Sequence, residues 1–141
     1  MNLFGVLQIS GSALKAERLR AEVVTSNMAN AETTRTPEGG PFKRRMVVFA
    51  TQPVARSQGS TATAAPGVAV RQVLVDNAPA IRRFDPTHPD ADAKGYVSYP
   101  DINPIMEMTD LMGAVRAYDL NASAVQATKS MIQQSLDILQ P

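Results

Sequence analysis

Apolar positions repeat with helical spacing at the two ends of the chain and lose that spacing in the middle. Near the N-terminus they fall at Leu3, Leu7, Leu14, Ala21, Val24 and Met28. Leu7, Leu14, Ala21 and Met28 recur every seven residues, the spacing of a coiled-coil seam more than of a globular surface. A helix over residues 3–31 is predicted, roughly 40 Å long at about 1.5 Å per residue. Gly5 and Gly11 weaken its first turns by up to about 1 kcal/mol each relative to Ala, so that end depends on packing for its order.

The second helical signal is stronger and covers residues 104–139. Asn103 suits an N-cap and Pro104 a first-turn position. Glu107 and Asp110 favour the positive end of the helix dipole. Leu111, Val115, Tyr118, Ala122, Val125, Ile132, Leu136 and Leu139 then alternate by four and three, with only Lys129 breaking the stripe. Beside it runs a row of mostly small residues, Gly113, Ala117, Leu120, Ala124, Ala127 and Met131, which lets another backbone approach closely. From Leu111 to Asp137 the charges are Arg116, Asp119, Lys129 and Asp137. A lone amphipathic helix carries one apolar stripe and a wet back. Two stripes and a dry back predict packing on several sides. The N-terminal helix can cover one side, and other chains must cover the rest.

The middle reads differently. Pro37-Glu38-Gly39-Gly40-Pro41 is turn chemistry. Phe42 to Ala50, with Met46-Val47-Val48-Phe49 inside it, suits a strand, as do Val68 to Val75 and Ile81 to Phe84. Tyr96-Val97-Ser98-Tyr99 is a short extended piece before Pro100. Residues 51–66 are poor in bulky apolar side chains and predict a flexible loop. The expected fold is mainly α with a small β-rich insert between two long helices.

Composition sharpens this picture. The 141 residues fit one ordinary domain. With no Trp, 3 Tyr and 4 Phe, bulky core anchors are few, so much apolar surface is expected to be buried against other chains. Net charge is +1, but residues 1–84 hold 11 Lys and Arg against 5 Asp and Glu, whereas residues 85–141 hold 3 against 8. The two halves are therefore able to attract each other, within a chain or between chains. The absence of Cys excludes a disulfide framework, a zinc–thiolate site and a cysteine nucleophile. No apolar run reaches the roughly 18 residues of a spanning helix. The N-terminus lacks the basic n-region of a secretory signal, so any export is expected to use no cleaved signal peptide.

Chemistry-bearing motifs are scarce. His88 is the lone histidine, set in the turn Asp85-Pro86-Thr87-His88-Pro89, and supports no catalytic arrangement. Asp90-Ala91-Asp92-Ala93-Lys94-Gly95 opens like a calcium loop, but Lys94 stands where a third ligand belongs and no helix precedes it, so an acidic turn is favoured. Gly39-Gly40 lacks the Lys-Ser/Thr of a phosphate loop. Lys43-Arg44-Arg45 has neither the broad basic field nor the aromatic interleaving of a nucleic-acid site. It suits solvent or an acidic subunit surface. Met106, Met108 and Met112 read as adaptable packing residues. In Thr25-Ser26-Asn27-Met28-Ala29-Asn30-Ala31 the Asn residues either cap the helix or hydrogen-bond across a bundle to fix register.

Several of these stretches together resemble the bacterial flagellar rod, hook and related axial proteins. Ser26-Asn27-Met28-Ala29-Asn30-Ala31 is similar to their helix-ending motif. Residues 33–44 are similar to a segment peculiar to one rod member, as are residues 85–92 with Gly95-Tyr96-Val97 and Tyr99-Pro100. Residues 108–120, with Arg116-Ala117-Tyr118, resemble the start of its C-terminal helix. The resemblance spans nearly the whole chain.

It implies a non-enzymatic structural subunit of the flagellar basal-body rod with no cofactor, no metal, no nucleic acid and no small-molecule substrate. The terminal helices, in segments 1–32 and 103–141, would pair as an antiparallel coiled coil. Segment 33–102 would hold an extended stretch and the small β-rich domain. The implied partners are further copies of the chain, other rod proteins and the flagellar type III export apparatus, and the implied location is the basal body, spanning the periplasm. The expected subunit contacts are Leu7, Leu14, Ala21 and Met28 in the first helix and Leu111, Val115, Tyr118, Val125, Ile132 and Leu136 in the second. Gly113, Ala117, Ala124 and Ala127 should face close neighbours, Asn27 and Asn30 should set register, and residues 33–45 should form an extended contact between subunits in which Lys43, Arg44 and Arg45 meet acidic neighbours. The alternative is a small helical binding module or export adaptor that forms a closed soluble oligomer. Because isolated helices are marginal without tertiary packing, the chain ends are expected to be largely disordered in a free monomer.

Overall fold

The computed structural model describes residues 3–53 and 66–138. Helix α1 spans Leu3–Ala29 and α2 spans Pro104–Ile138, with strands β1 (Arg45–Pro53), β2 (Pro66–Val75), β3 (Ile81–Phe84) and β4 (Tyr96–Tyr99) between them. The helices and strands fall where the sequence pattern puts them, except that α1 ends at Ala29 and not at 31, and β1 begins at Arg45 and not at Phe42. Strands β1 and β2 extend into the expected loop at 51–53 and at Pro66. The rest of that loop, and Leu139 of the second helix, lie outside the described residues.

The two helices pack side by side and run in opposite directions. Asn27 near the end of α1 meets Glu107 in the first turn of α2, and Arg20 meets Asp110. Further along, Ala21 and Glu17 line a groove with Ala114 and Tyr118. Asn103 starts α2 as expected: its side-chain oxygen accepts the Ile105 N–H at 3.0 Å and its carbonyl accepts the Glu107 N–H at 3.1 Å. At the end of α1, the Ser26 carbonyl accepts both the Asn30 N–H at 3.1 Å and the Asn30 side-chain amide at 2.9 Å, which closes the last turn.

The β insert consists of two separate two-stranded antiparallel sheets. In β1–β2 the register runs from Arg45↔Val75 to Pro53↔Pro66, with a bulge that leaves Arg71 unopposed between Val48↔Gln72 and Phe49↔Val70. This ribbon lies against α1, where Ser12 Oγ accepts the Val68 N–H at 3.0 Å. In β3–β4, Ile81 pairs with Tyr99 and Phe84 with Tyr96. The connection requires glycine at Gly95, which adopts φ +78°. A Cβ there would sit 3.0 Å from the Phe84 ring and 3.2 Å from Pro86 Cβ.

Two carboxylates organise that connection. The Thr87 hydroxyl, with the Thr87 N–H behind it, holds the Asp85 carboxyl below its ordinary value of 3.8, and the Tyr96 N–H does the same for Asp92. A folded-state value below the unfolded one means that the stabilisation is complete above about pH 3.8 and is lost as pH falls through the folded values. The Tyr96 amide resonance should therefore titrate with a midpoint below 3.8, and a midpoint at or above that value would contradict the assignment. Asp92 is also engaged by Arg82, and Asp90 by the Thr34 hydroxyl at 2.8 Å. His88 accepts the Asp90 N–H through Nδ1 at 3.1 Å and sets its ring edge-on to Tyr99, as a turn residue would.

The apolar core is thin. Its buried members among the described residues are Ala16, Val24, Val97, Ile102 and Ala114. Two of these are alanines, whose small side chains let α1 meet its neighbours closely but bury little area.

Candidate subunit interface

Among the described residues, the most completely buried polar groups lie where α1, β1 and α2 converge. Asn27 is 0 % exposed and Glu107 is 1 % exposed. The Asn27 amide works like a short piece of strand: its Oδ1 accepts the Arg45 N–H at 2.9 Å, and its Nδ2 donates to the Arg45 carbonyl at 2.7 Å and to Glu107 Oε2 at 2.9 Å. Arg44 donates through Nε to Glu107 Oε1 at 2.7 Å, and its Nη2 stands 2.7 Å from the same oxygen and 3.8 Å from Asp110. Arg20 reaches the other Asp110 oxygen at 3.2 Å. A buried carboxylate is tolerated only with such partners.

The attraction between the basic and acidic halves therefore operates within one chain. Arg20–Asp110, Arg35–Asp90, Arg44–Glu107 and Arg44–Asp110 each join a cation before residue 46 to an acid after residue 89. The two readings of the Asn motif divide between its two residues: Asn30 caps α1, and Asn27 fixes register between elements of the subunit.

The seam of α2 against α1 is set on Glu107, Ala114, Asn121 and Thr128, every seventh residue, with Leu111, Ala117, Ala124, Val125 and Ile132 half-buried beside it. Leu7, Leu14, Ala21 and Met28 of α1 are likewise half-buried. Residues 133–138 are all exposed. Directly opposite the seam, Asp119, Ser123, Gln126, Ser130, Gln133 and Asp137 form a back that is polar yet carries little charge, not the dry one expected. The two flanks between seam and back are apolar and uncovered. One bears Met106, Gly113, Leu120, Ala127 and Met131, and the other Met108, Val115, Tyr118 and Leu136. Leu120 is 72 % exposed and Ile138 84 %. Monomeric soluble proteins rarely leave so much contiguous apolar surface open, and patches of this kind mark contact sites.

Residues 33–42 double back instead of running extended. Phe42 N–H bonds the Thr33 carbonyl at 3.0 Å and Thr36 N–H the Gly40 carbonyl at 2.9 Å. Gly39 and Gly40, at φ +88° and +75°, permit the reversal. Among the described residues no group of His, Cys, Asp and Glu is arranged to hold a metal ion.

Known proteins decide what this surface belongs to. A family model described as flagella basal body rod protein matches residues 7–35, and one described as flagellar basal body rod FlgEFG protein C-terminal matches residues 93–138. The flagellar basal-body rod protein FlgC of Borreliella burgdorferi is 37 % identical over 99 % of both chains. Those of Bacillus subtilis and Salmonella typhimurium are 39 % and 35 % identical, covering 98 % of this chain and 99 % and 98 % of theirs. The chain belongs to the FlgC family of flagellar basal-body rod proteins. It is a structural subunit of the basal-body rod.

In this FlgC-family chain the two matched segments cover most of α1 with the turn that follows it, and β4 with α2. Of the contact residues expected from sequence, Gly113, Val115, Tyr118, Ala127 and Leu136 lie exposed on α2, and Lys43 and Arg45 are exposed beside β1. Leu111, Ala117, Ala124, Val125 and Ile132 lie at the edge of the α1 seam, Asn27 is enclosed, and Arg44 is turned inward to Glu107. Sequence reasoning missed Glu107, Ala114 and Thr128 as the buried centre of the seam. The seven-residue spacing of 107, 114, 121 and 128 was the available signal.

Proposed function

We propose that this rod subunit polymerises through its paired terminal helices, with further copies and with other rod proteins, into the helical drive shaft. The two uncovered apolar flanks of α2 carry this reading: one neighbour fits against each, with the sparsely charged back between them. Seven-residue spacing on both sides of the α1–α2 seam supports an antiparallel coiled coil as the unit that packs. The contacts repeat head-to-tail without closing, as a filament requires. On this reading the chain reaches the rod through the flagellar type III export apparatus without a cleaved signal, spans the periplasm there and carries out no catalysis. The segments 1–32 and 103–141 act as the packing core, and 33–102 lies further out.

Ala117, half-buried between the seam and the Leu120 flank, tests close packing. Ala117→Leu should abolish rod assembly while export into the culture medium continues at the wild-type level. Normal numbers of basal bodies in this variant would refute close approach at that position.

A further inference from the structure

Arg44 is paired with an acid inside the subunit, but among the described residues the cations on either side of it in sequence are not. Lys43 and Arg45 open onto a cleft of about 340 Å³ that Arg35 and the 36–40 turn also line. The Lys43 ammonium reaches the Asn77 side-chain oxygen at 3.3 Å. The Arg45 guanidinium lies over the Phe42 ring, 5.5 Å from its centre. Among the described residues neither meets a carboxylate. Arg35 stands 3.7 Å from Asp90 with most of its side chain in solvent. The single acid in the lining is Glu38, at the exposed tip of the turn. Three cations and one carboxylate thus border one concavity.

We infer that this cleft receives a carboxylate-bearing segment of a neighbouring rod subunit, with Lys43 and Arg45 as its direct contacts. The inference rests on the assembly reading above and names the chemistry of one of its contacts. A guanidinium offers a carboxylate two parallel donors, and an ammonium adds a point charge. The Phe42 ring holds the guanidinium in place without neutralising it. A cleft of about 340 Å³ has room for one or two acidic side chains. Three cations without interleaved stacking rings make a poor nucleic-acid surface.

The test uses cells deleted for their own copy of the gene and expressing this chain. The double variant Lys43→Glu, Arg45→Glu should reduce assembled basal bodies by about tenfold or more, because like charges would then face each other. The variant Lys43→Gln, Arg45→Gln should reduce them less. Both should keep the far-ultraviolet circular dichroism of the parent, since neither side chain holds the fold together. Unchanged basal-body numbers after charge reversal would overturn the inference. Independently, Lys43→p-benzoylphenylalanine in the assembled rod should photocross-link to a neighbour within a segment containing Asp or Glu. A cross-link to a segment lacking both would overturn the acidic partner while leaving rod assembly intact. Absence of the unaltered chain from purified basal bodies would instead overturn the assembly reading itself.

Discussion

Glu107→Ala is expected to destabilise the folded subunit by about 3 kcal/mol, the lower end of the range for removing one partner of a buried ion pair. The carboxylate is the common acceptor for Arg44 and Asn27, so its loss strands two donors at once. Arg44 keeps Asp110 at 3.8 Å and 26 % of its side chain stays in contact with solvent, which is why the upper end is not expected. A buried amide hydrogen left on Asn27 adds to the cost. Thermal unfolding followed by far-ultraviolet circular dichroism should show the midpoint falling by roughly 10 °C. Glu107→Ala and Arg44→Ala should also be non-additive, with a coupling of at least about 1 kcal/mol in a double-mutant cycle. A change below about 0.5 kcal/mol, the usual range for surface substitutions, would show that the pair does not hold the junction. With so thin a core, the loss is a large share of the net stability of the chain.

The junction also marks the limit of what sequence could show. Glu107 is legible as an acid in the first turn of a helix, a local electrostatic preference worth a few tenths of a kcal/mol. Nothing local indicates that it is enclosed. Its partners are 63 and 80 residues away in sequence, and only the antiparallel return of α2 brings them together. The basic triplet divides for a related reason. Three adjacent cations look alike in sequence, but backbone entering a strand turns successive side chains to opposite faces. Arg44 faces the helices, while Lys43 and Arg45 face out.

The elements themselves were legible because each follows a period: seven in the helices, and β-branched runs bounded by turn residues in the strands. Which side of α2 meets α1 is not legible in the same way. Large side chains at Leu111, Val115 and Tyr118 drew attention to one stripe, whereas the tightest approach to α1 falls on Ala114. In a helix that shows apolar residues on several sides, hydrophobicity cannot rank those sides. Close approach of two backbones selects for small side chains, and the larger ones are left on the flanks.

Those flanks yield the second large effect. Leu120→Asp should leave the subunit folded and exported yet unable to build a rod. Leu120 is 72 % exposed, so in the free subunit the new carboxylate stays hydrated and stability should shift by no more than about 0.5 kcal/mol. Once a neighbour covers the flank, the same carboxylate is buried without a partner, at a cost of several kcal/mol. Each 1.4 kcal/mol is about a factor of ten in association, so basal bodies should fall by roughly a hundredfold or more. Leu120→Ser separates charge from lost contact: it removes apolar area but buries no charge, and it should lose far less. The readouts are the basal-body count by electron microscopy and the amount of chain exported. Export without rods, in a variant whose circular dichroism matches the parent, is the expected result. Motile cells with a full complement of rods would mean that this flank stays wet in the assembly. The second neighbour would then have to sit elsewhere, on the β1–β2 ribbon.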